Sequence, residues 1–141
     1  MVMSKPTPGE LEEETGRGSE QVRLFVSDRL ILVGRDATMR QMAQRMVAEG
    51  VGALVVTEGN HVHGIVSERD VVSAIAAGND LDSATAGDLE SRRLVTCTPD
   101  TTVQAAAVLM MENYGRHLLV SDQTGPVGMV SARDLLGAYV V

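Results

Sequence analysis

Residues 64–70 read Gly64-Ile65-Val66-Ser67-Glu68-Arg69-Asp70, and residues 128–134 read Gly128-Met129-Val130-Ser131-Ala132-Arg133-Asp134. The second stretch lies 64 residues after the first, Gly128 against Gly64. The same offset, without a gap, pairs Asp36-Ala37-Thr38 with Asp100-Thr101-Thr102, Met46 with Met110, Leu54 with Leu118 and Val56 with Val120. Upstream it pairs Ser27 with Ser91 and Arg29-Leu30 with Arg93-Leu94. One register held over so long a stretch marks an internal repeat. The chain reads as two copies of one unit, residues 22–80 and 81–141, behind an acidic tail at 1–21.

Each copy predicts strand, helix, strand, strand, helix, an α/β (α+β) unit. The apolar, β-branched run at 30–33 reads as a strand. Thr38 sits where a helix cap belongs, and Gln41 stands three residues on, where its side chain can bond back to the cap. Met39, Met42, Ala43, Met46 and Val47 recur at helical spacing and mark one apolar face, ended by Gly50 and Gly52. Residues 53–56 and 62–66 form a hairpin turned at Glu58-Gly59-Asn60. Ser67 caps the next helix, with Val71, Val72, Ile75 and Ala76 as its apolar face and Gly78 as terminator. The second copy repeats the pattern. Thr102 is its cap, Val103, Ala106, Ala107, Met110 and Met111 its first face, and 117–121 and 127–130 its hairpin. Its last helix runs from Ser131 through Tyr139.

A unit of about 50 residues buries too little to stand alone. The two copies are therefore expected to pack about a pseudo-two-fold axis and to frame two related clefts, where small ligands usually bind.

Composition narrows the function. The chain has 141 residues, 44% apolar and 22% charged, an ordinary globular mix. Aromatics are Phe25, Tyr114 and Tyr139, with no Trp, which argues against a stacking platform for single-stranded nucleic acid. The net charge of -7 argues against a phosphate-backbone binder. Cys97 is the one cysteine, so neither an internal disulfide nor a four-cysteine zinc site can form. His61 and His63 have no cysteine or third histidine near them in sequence, so no metal site is expected. No secretory leader or membrane-length apolar run is visible, which points to the cytoplasm. No G-x-S-x-G elbow, P-loop, H-E-x-x-H or dinucleotide fingerprint occurs, and no enzyme is expected.

The paired units resemble a tandem of cystathionine-β-synthase (CBS) domains, the Bateman module. The carrying motifs are the stretches at 64–70 and 128–134, with Asp36-Ala37-Thr38-Met39 and Pro99-Asp100-Thr101-Thr102-Val103 matching the family's entry to its first helix. The resemblance implies a regulatory module that binds an adenosine nucleotide (AMP, ADP, ATP or S-adenosylmethionine) between the repeats. It also implies a homodimer and an effector protein of unknown identity, with no resident cofactor. The alternative is a structural or interaction pair that binds no nucleotide.

Ser67 with Asp70, and Ser131 with Asp134, can be plain capping boxes with Asp in the Glu position. The same helix starts offer free N–H groups to a phosphate. The resemblance places the Asp on ribose and the Ser near phosphate. It places Arg116 and His117 on phosphate, and Val33, Gly34, Cys97 and Thr98 around the base through main chain and apolar contact. The first copy carries Gly52 and Ala53 where the second has Arg116 and His117, and neither is charged. One competent site is therefore expected, from Ser67, Asp70, Arg116 and His117, while the site of Ser131 and Asp134 stays weak or empty. Cys97 is expected to be a buried small apolar residue.

Overall fold

The structure, a computed structural model, describes residues 18–26 and 30–140. Most of the expected acidic tail, residues 1–17, lies outside the described residues. The chain forms two compact units, one made of residues 30–94 and the other joining 18–26 to 95–140. Each holds a three-stranded mixed sheet, and together they give the α/β fold expected from the repeat.

In the first unit the order is β1 (Leu32–Gly34), α1 (Met39–Glu49), β2 (Ala53–Glu58), β3 (His61–Ser67), α2 (Glu68–Ala76) and α3 (Ala86–Leu89). Strand β2 is central, parallel to β1 and antiparallel to β3. A parallel neighbour needs a crossover connection, which α1 supplies. Ala53, Leu54, Val55 and Val56 are buried at consecutive positions, which explains why this strand is apolar without alternation. Thr38 caps α1 with the full reciprocal box: Gln41 N–H donates to Thr38 Oγ1 at 3.1 Å and Thr38 N–H to Gln41 Oε1 at 2.9 Å. Gly50 ends the helix in the left-handed region at φ 66°. Met39, Met42 and Met46 enter a core with Leu54, Val56, Val66 and Val71.

The second unit repeats this with β4 (Thr96–Cys97), α4 (Val103–Glu112), β5 (His117–Asp122), β6 (Gly125–Ser131) and α5 (Ala132–Leu136), followed by a 3-10 turn at Gly137–Tyr139. Its core gathers Val103, Ala106, Met110, Leu118, Val120, Val130 and Leu135. Val22, from the start of the chain, is fully buried in that same core.

Val22 is there because each copy's leading segment packs on the other copy. The first N–H groups of a helix have no partner within it. Met39 N–H donates to Ala84 O at 2.8 Å, and Val103 N–H donates to Glu20 O at 2.8 Å. Ala86 N–H reaches Ala37 O and Val22 N–H reaches Thr101 O, each at 2.8 Å. Gly87 N–H to Arg35 O (2.9 Å) is matched by Arg23 N–H to Pro99 O (3.3 Å). Every bond has its counterpart 64 residues on, so the exchange obeys the repeat.

Two sequence expectations change. The first strand occupies 32–34 rather than 30–33, because its parallel register sets Leu32 against Val55 and Gly34 against Thr57. The expected helix faces are too wide. Val47 (84% exposed), Met111 (76%), Val72 and Ile75 all stand in solvent, as does Ala76. A nine-residue α2 buries only Val71 and Ala74, one turn apart.

Gly64 is fixed by close approach. A Cβ there would stand 2.8 Å from the Ser91 carbonyl and 2.7 Å from Glu90 Oε2. Ser91 and Ile65 exchange two backbone bonds (3.0 and 2.9 Å) that hold the connecting segment on β3. Gly34, by contrast, has nothing within 4 Å of its Cβ position. Urea denaturation should show Gly64→Ala destabilised by about 1–3 kcal/mol, the usual cost of overpacking, and Gly34→Ala changed by no more than about 0.5 kcal/mol. Equal effects would refute the close-approach account.

Candidate functional site

Ser67 ends β3 in extended conformation and caps α2. Its N–H and its hydroxyl both donate to Asp70 Oδ2, at 2.7 and 2.9 Å, and Asp70 N–H donates back to Ser67 Oγ at 3.3 Å. Asp70 Oδ1 makes no hydrogen bond among the described residues, and the carboxylate is half-buried. Ser131 and Asp134 repeat the box, with Ser131 N–H to Asp134 Oδ2 at 2.8 Å and Asp134 N–H to Ser131 Oγ at 3.1 Å. Both pairs thus serve as helix caps whatever else they do. The capping bonds of each box use one carboxylate oxygen, Oδ2.

Arg116 and His117 belong to the second unit. Arg116 is exposed and its carbonyl accepts from Ala132 N–H at 2.8 Å, which ties the start of β5 to the start of α5. His117 opens β5 opposite Ser131 and is half-buried. In the first unit Gly52 O accepts from Glu68 N–H at 2.9 Å in the same way. The backbone is therefore common to both copies, and the guanidinium is what differs. Val33 is half-buried and Gly34 exposed in β1; Cys97 is buried and Thr98 exposed at β4. Thr98 N–H is bound by Thr101 Oγ1 at 3.0 Å. Burial pushes the Cys97 thiol above its ordinary range, against a smaller opposing effect of its hydrogen bond with Thr101.

A charged cluster that sequence reasoning missed lies in the first unit. Glu90, at the end of α3, has a side chain only 1% exposed. Its Oε1 lies 2.5 Å from His63 Nδ1 and 3.5 Å from both Arg35 Nε and Arg92 Nε. His63 Nε2 and Arg35 Nη1 each reach Glu58 at 3.5 Å. His63 stands at the bulge of β3, where the register skips between Val56 and Thr57, and the bulge aims its ring at Glu90. Glu90 Oε2 and Arg35 Nε are buried without a hydrogen bond. The counterparts in the second unit are Pro99, Val127 and Val26, and the two valines pack on its apolar core. The signal in the sequence was this mismatch between copies, charged in one and apolar in the other. Among the described residues no group of three or more His, Cys, Asp and Glu could hold a metal ion.

Two measurements check this description. His63 makes the shortest contact to the buried Glu90 carboxylate, so losing either partner removes the same interaction. The His63→Val and Glu90→Val single variants should each lose stability, and the double variant should lose less than their sum by about 0.5–3 kcal/mol. Simple additivity would show the pair to be uncoupled. For Cys97, a raised folded-state pKa means that stability from the neutral thiol persists below the unfolded value and fades as pH rises through the native titration. Alkylation of Cys97 at mildly alkaline pH should therefore be much slower in the native protein than in urea, and equal rates would contradict its burial.

A sequence profile described as "CBS domain" matches residues 22–77 and again 86–141. A mitochondrial CBS-domain-containing protein of Arabidopsis thaliana is 38% identical over 111 residues, 74% of this chain and 54% of that protein. The chain thus spans about half the length of that relative. A solved structure of Hypoxic Response Protein I, with two coordinated zinc ions, is 28% identical, covers 84% of this chain and 98% of its own, and has a TM-score of 0.69. A CBS domain pair solved with 5′-methylthioadenosine and S-adenosyl-L-methionine is 19% identical, covers 86% of this chain and 100% of its own, and has a TM-score of 0.78. That last likeness concerns fold. Two profile matches, in register with the internal repeat and the two exchanged segments, establish the chain as a member of the CBS domain family, with two copies of the domain.

Proposed function

We propose that the chain is a non-catalytic regulatory module that binds an adenosine nucleotide (AMP, ADP or ATP) or S-adenosylmethionine between its two CBS copies. The observation that carries the reading is Arg116. It is an exposed guanidinium with no ion pair among the described residues, placed beside His117, where the other copy has Gly52 and Ala53. Its planar fork suits phosphate. In this reading Asp70 Oδ1 takes the ribose hydroxyls and the Ser67-capped start of α2 faces the phosphate. Main chain at Val33-Gly34 and Cys97-Thr98 takes the base. The site of Ser131 and Asp134 lacks a matched cation and stays weak. A CBS pair of the same fold holding two adenosine compounds supports the ligand class.

Ligand shifts such a module only by its differential affinity for two arrangements of the copies, and an effector protein reads the shift. The apolar residues left in solvent support a homodimer. Val47, Val72 and Ile75 of the first unit have Met111, Leu136 and Tyr139 as their counterparts in the second, and all six are exposed. A two-fold axis buries such self-complementary patches. No described helix is long and apolar enough to cross a membrane.

A second reading, a structural pair without ligand, is favoured by one observation: both aspartates already work as caps. Calorimetry with AMP, ATP and S-adenosylmethionine separates the two. Binding tighter than about 1 mM supports the sensor, and no heat or thermal shift with any of the three supports the structural pair. Where binding occurs, Asp70→Ala should weaken it roughly 10-fold or more, the value of a charged hydrogen bond, and Asp134→Ala should leave it nearly unchanged. Equal losses would overturn the asymmetry. Sedimentation should give a dimer that Met111→Lys dissociates, and a monomeric parent chain would remove the homodimer from this reading.

A further inference from the structure

Tyr114 stands where the fold asks for glycine. It follows α4 and takes φ 52°, the one non-glycine residue with positive φ among those described. Its counterpart 64 residues earlier is Gly50, with φ 66°. The two positions make the same bonds. Tyr114 N–H meets Met111 O at 3.4 Å, as Gly50 N–H meets Val47 O at 3.3 Å. Gly115 N–H meets Met110 O at 3.0 Å, as Val51 N–H meets Met46 O at 3.0 Å. Gly50 shows that the turn needs no side chain. A Cβ in this region carries backbone strain, and a bulky residue there is a rare occupant.

Packing does not offset that strain, because Tyr114 is 88% exposed. The chain holds only three aromatic residues, and one of them is held at a strained position in solvent. Strain of this kind collects at binding sites, and the inference runs from the outlier to the function. Two residues on lies Arg116, the exposed guanidinium assigned to phosphate. A phenol hydroxyl is a donor that a phosphate oxygen accepts. The pair Tyr114 and Arg116 has no equivalent in the first copy, where Gly50 and Gly52 stand at those places.

Resting on the nucleotide reading above, we propose that Tyr114 is a specificity-determining residue of that site. Its hydroxyl donates to the phosphate held by Arg116, so the site prefers phosphate-bearing nucleotides over adenosine and S-adenosylmethionine. Its strained backbone presents the ring away from the core.

Three proteins test this by calorimetry and thermal shift: the parent chain, Tyr114→Phe and Tyr114→Gly, each with AMP and with adenosine. Tyr114→Phe should bind AMP about 10-fold more weakly, the loss of one hydrogen bond to a charged group, and bind adenosine unchanged. Tyr114→Gly should lose the same AMP affinity while its ligand-free melting temperature rises by about 2–5 °C as strain is relieved. A Tyr114→Phe variant that binds AMP like the parent chain overturns the proposal. So does an equal loss with adenosine, or dissociation of a dimer by either variant, which would assign the ring to self-association. Failure of the parent chain to bind any adenosine compound removes the nucleotide reading itself, and this proposal with it.

Discussion

The first turn of a helix leaves backbone donors that the helix cannot satisfy, and this chain meets that need from outside the helix. Met39 and Val103 each receive a carbonyl from a segment that precedes the other copy. The donors are buried with their side chains, so leaving them unpaired would cost more than the bonds contribute. The helix entries, the edge of β3 at Ile65 and the seating of Val22 in the second core all follow from those segments being in place. Neither half of the sequence completes its own unit.

One backbone then supports two different chemistries. At the bulge of the last strand the copies hold His63 and Val127, and on the exchanged segment Glu90 and Val26. The first copy has a charged network where the second has hydrocarbon. Such a network adds little net stability beside a well-packed apolar equivalent, but it disfavours arrangements that leave Glu90 unpaired. At the start of the middle strand the difference is reversed. There the second copy holds Arg116 and His117, and the first holds the uncharged Gly52 and Ala53. One frame thus carries unequal side chains at two separate places.

Much of this was readable in the residues. The 64-residue register, the caps at Thr38, Ser67, Thr102 and Ser131, and the turn at Gly59 came from local chemistry, and local chemistry survives into the structure. The width of each buried helix face was not readable. Val47, Val72 and Met111 fit the helical period, but periodicity reports which side is apolar, not how much of it a small sheet can cover. The exchange escaped notice because its carriers, residues 20–23 and 84–87, are too short to show a pattern. Glu90 drew no reading because sequence cannot show which linker residue a bulged strand will meet. Ser67 and Asp70 were legible as a pair, yet capping and ligand contact ask for the same two side chains, so the residues alone left both roles open.

The reciprocal exchange has an implication for ancestry. A chain carrying a single copy would expose its helix entry and hold a loose leading arm with nowhere of its own to dock. Two such chains could complete one another only by trading arms, at the mercy of concentration. Fusing them end to end makes that trade intramolecular and independent of dilution. Cutting the present chain between its copies should therefore give fragments that fold together far better than either folds apart.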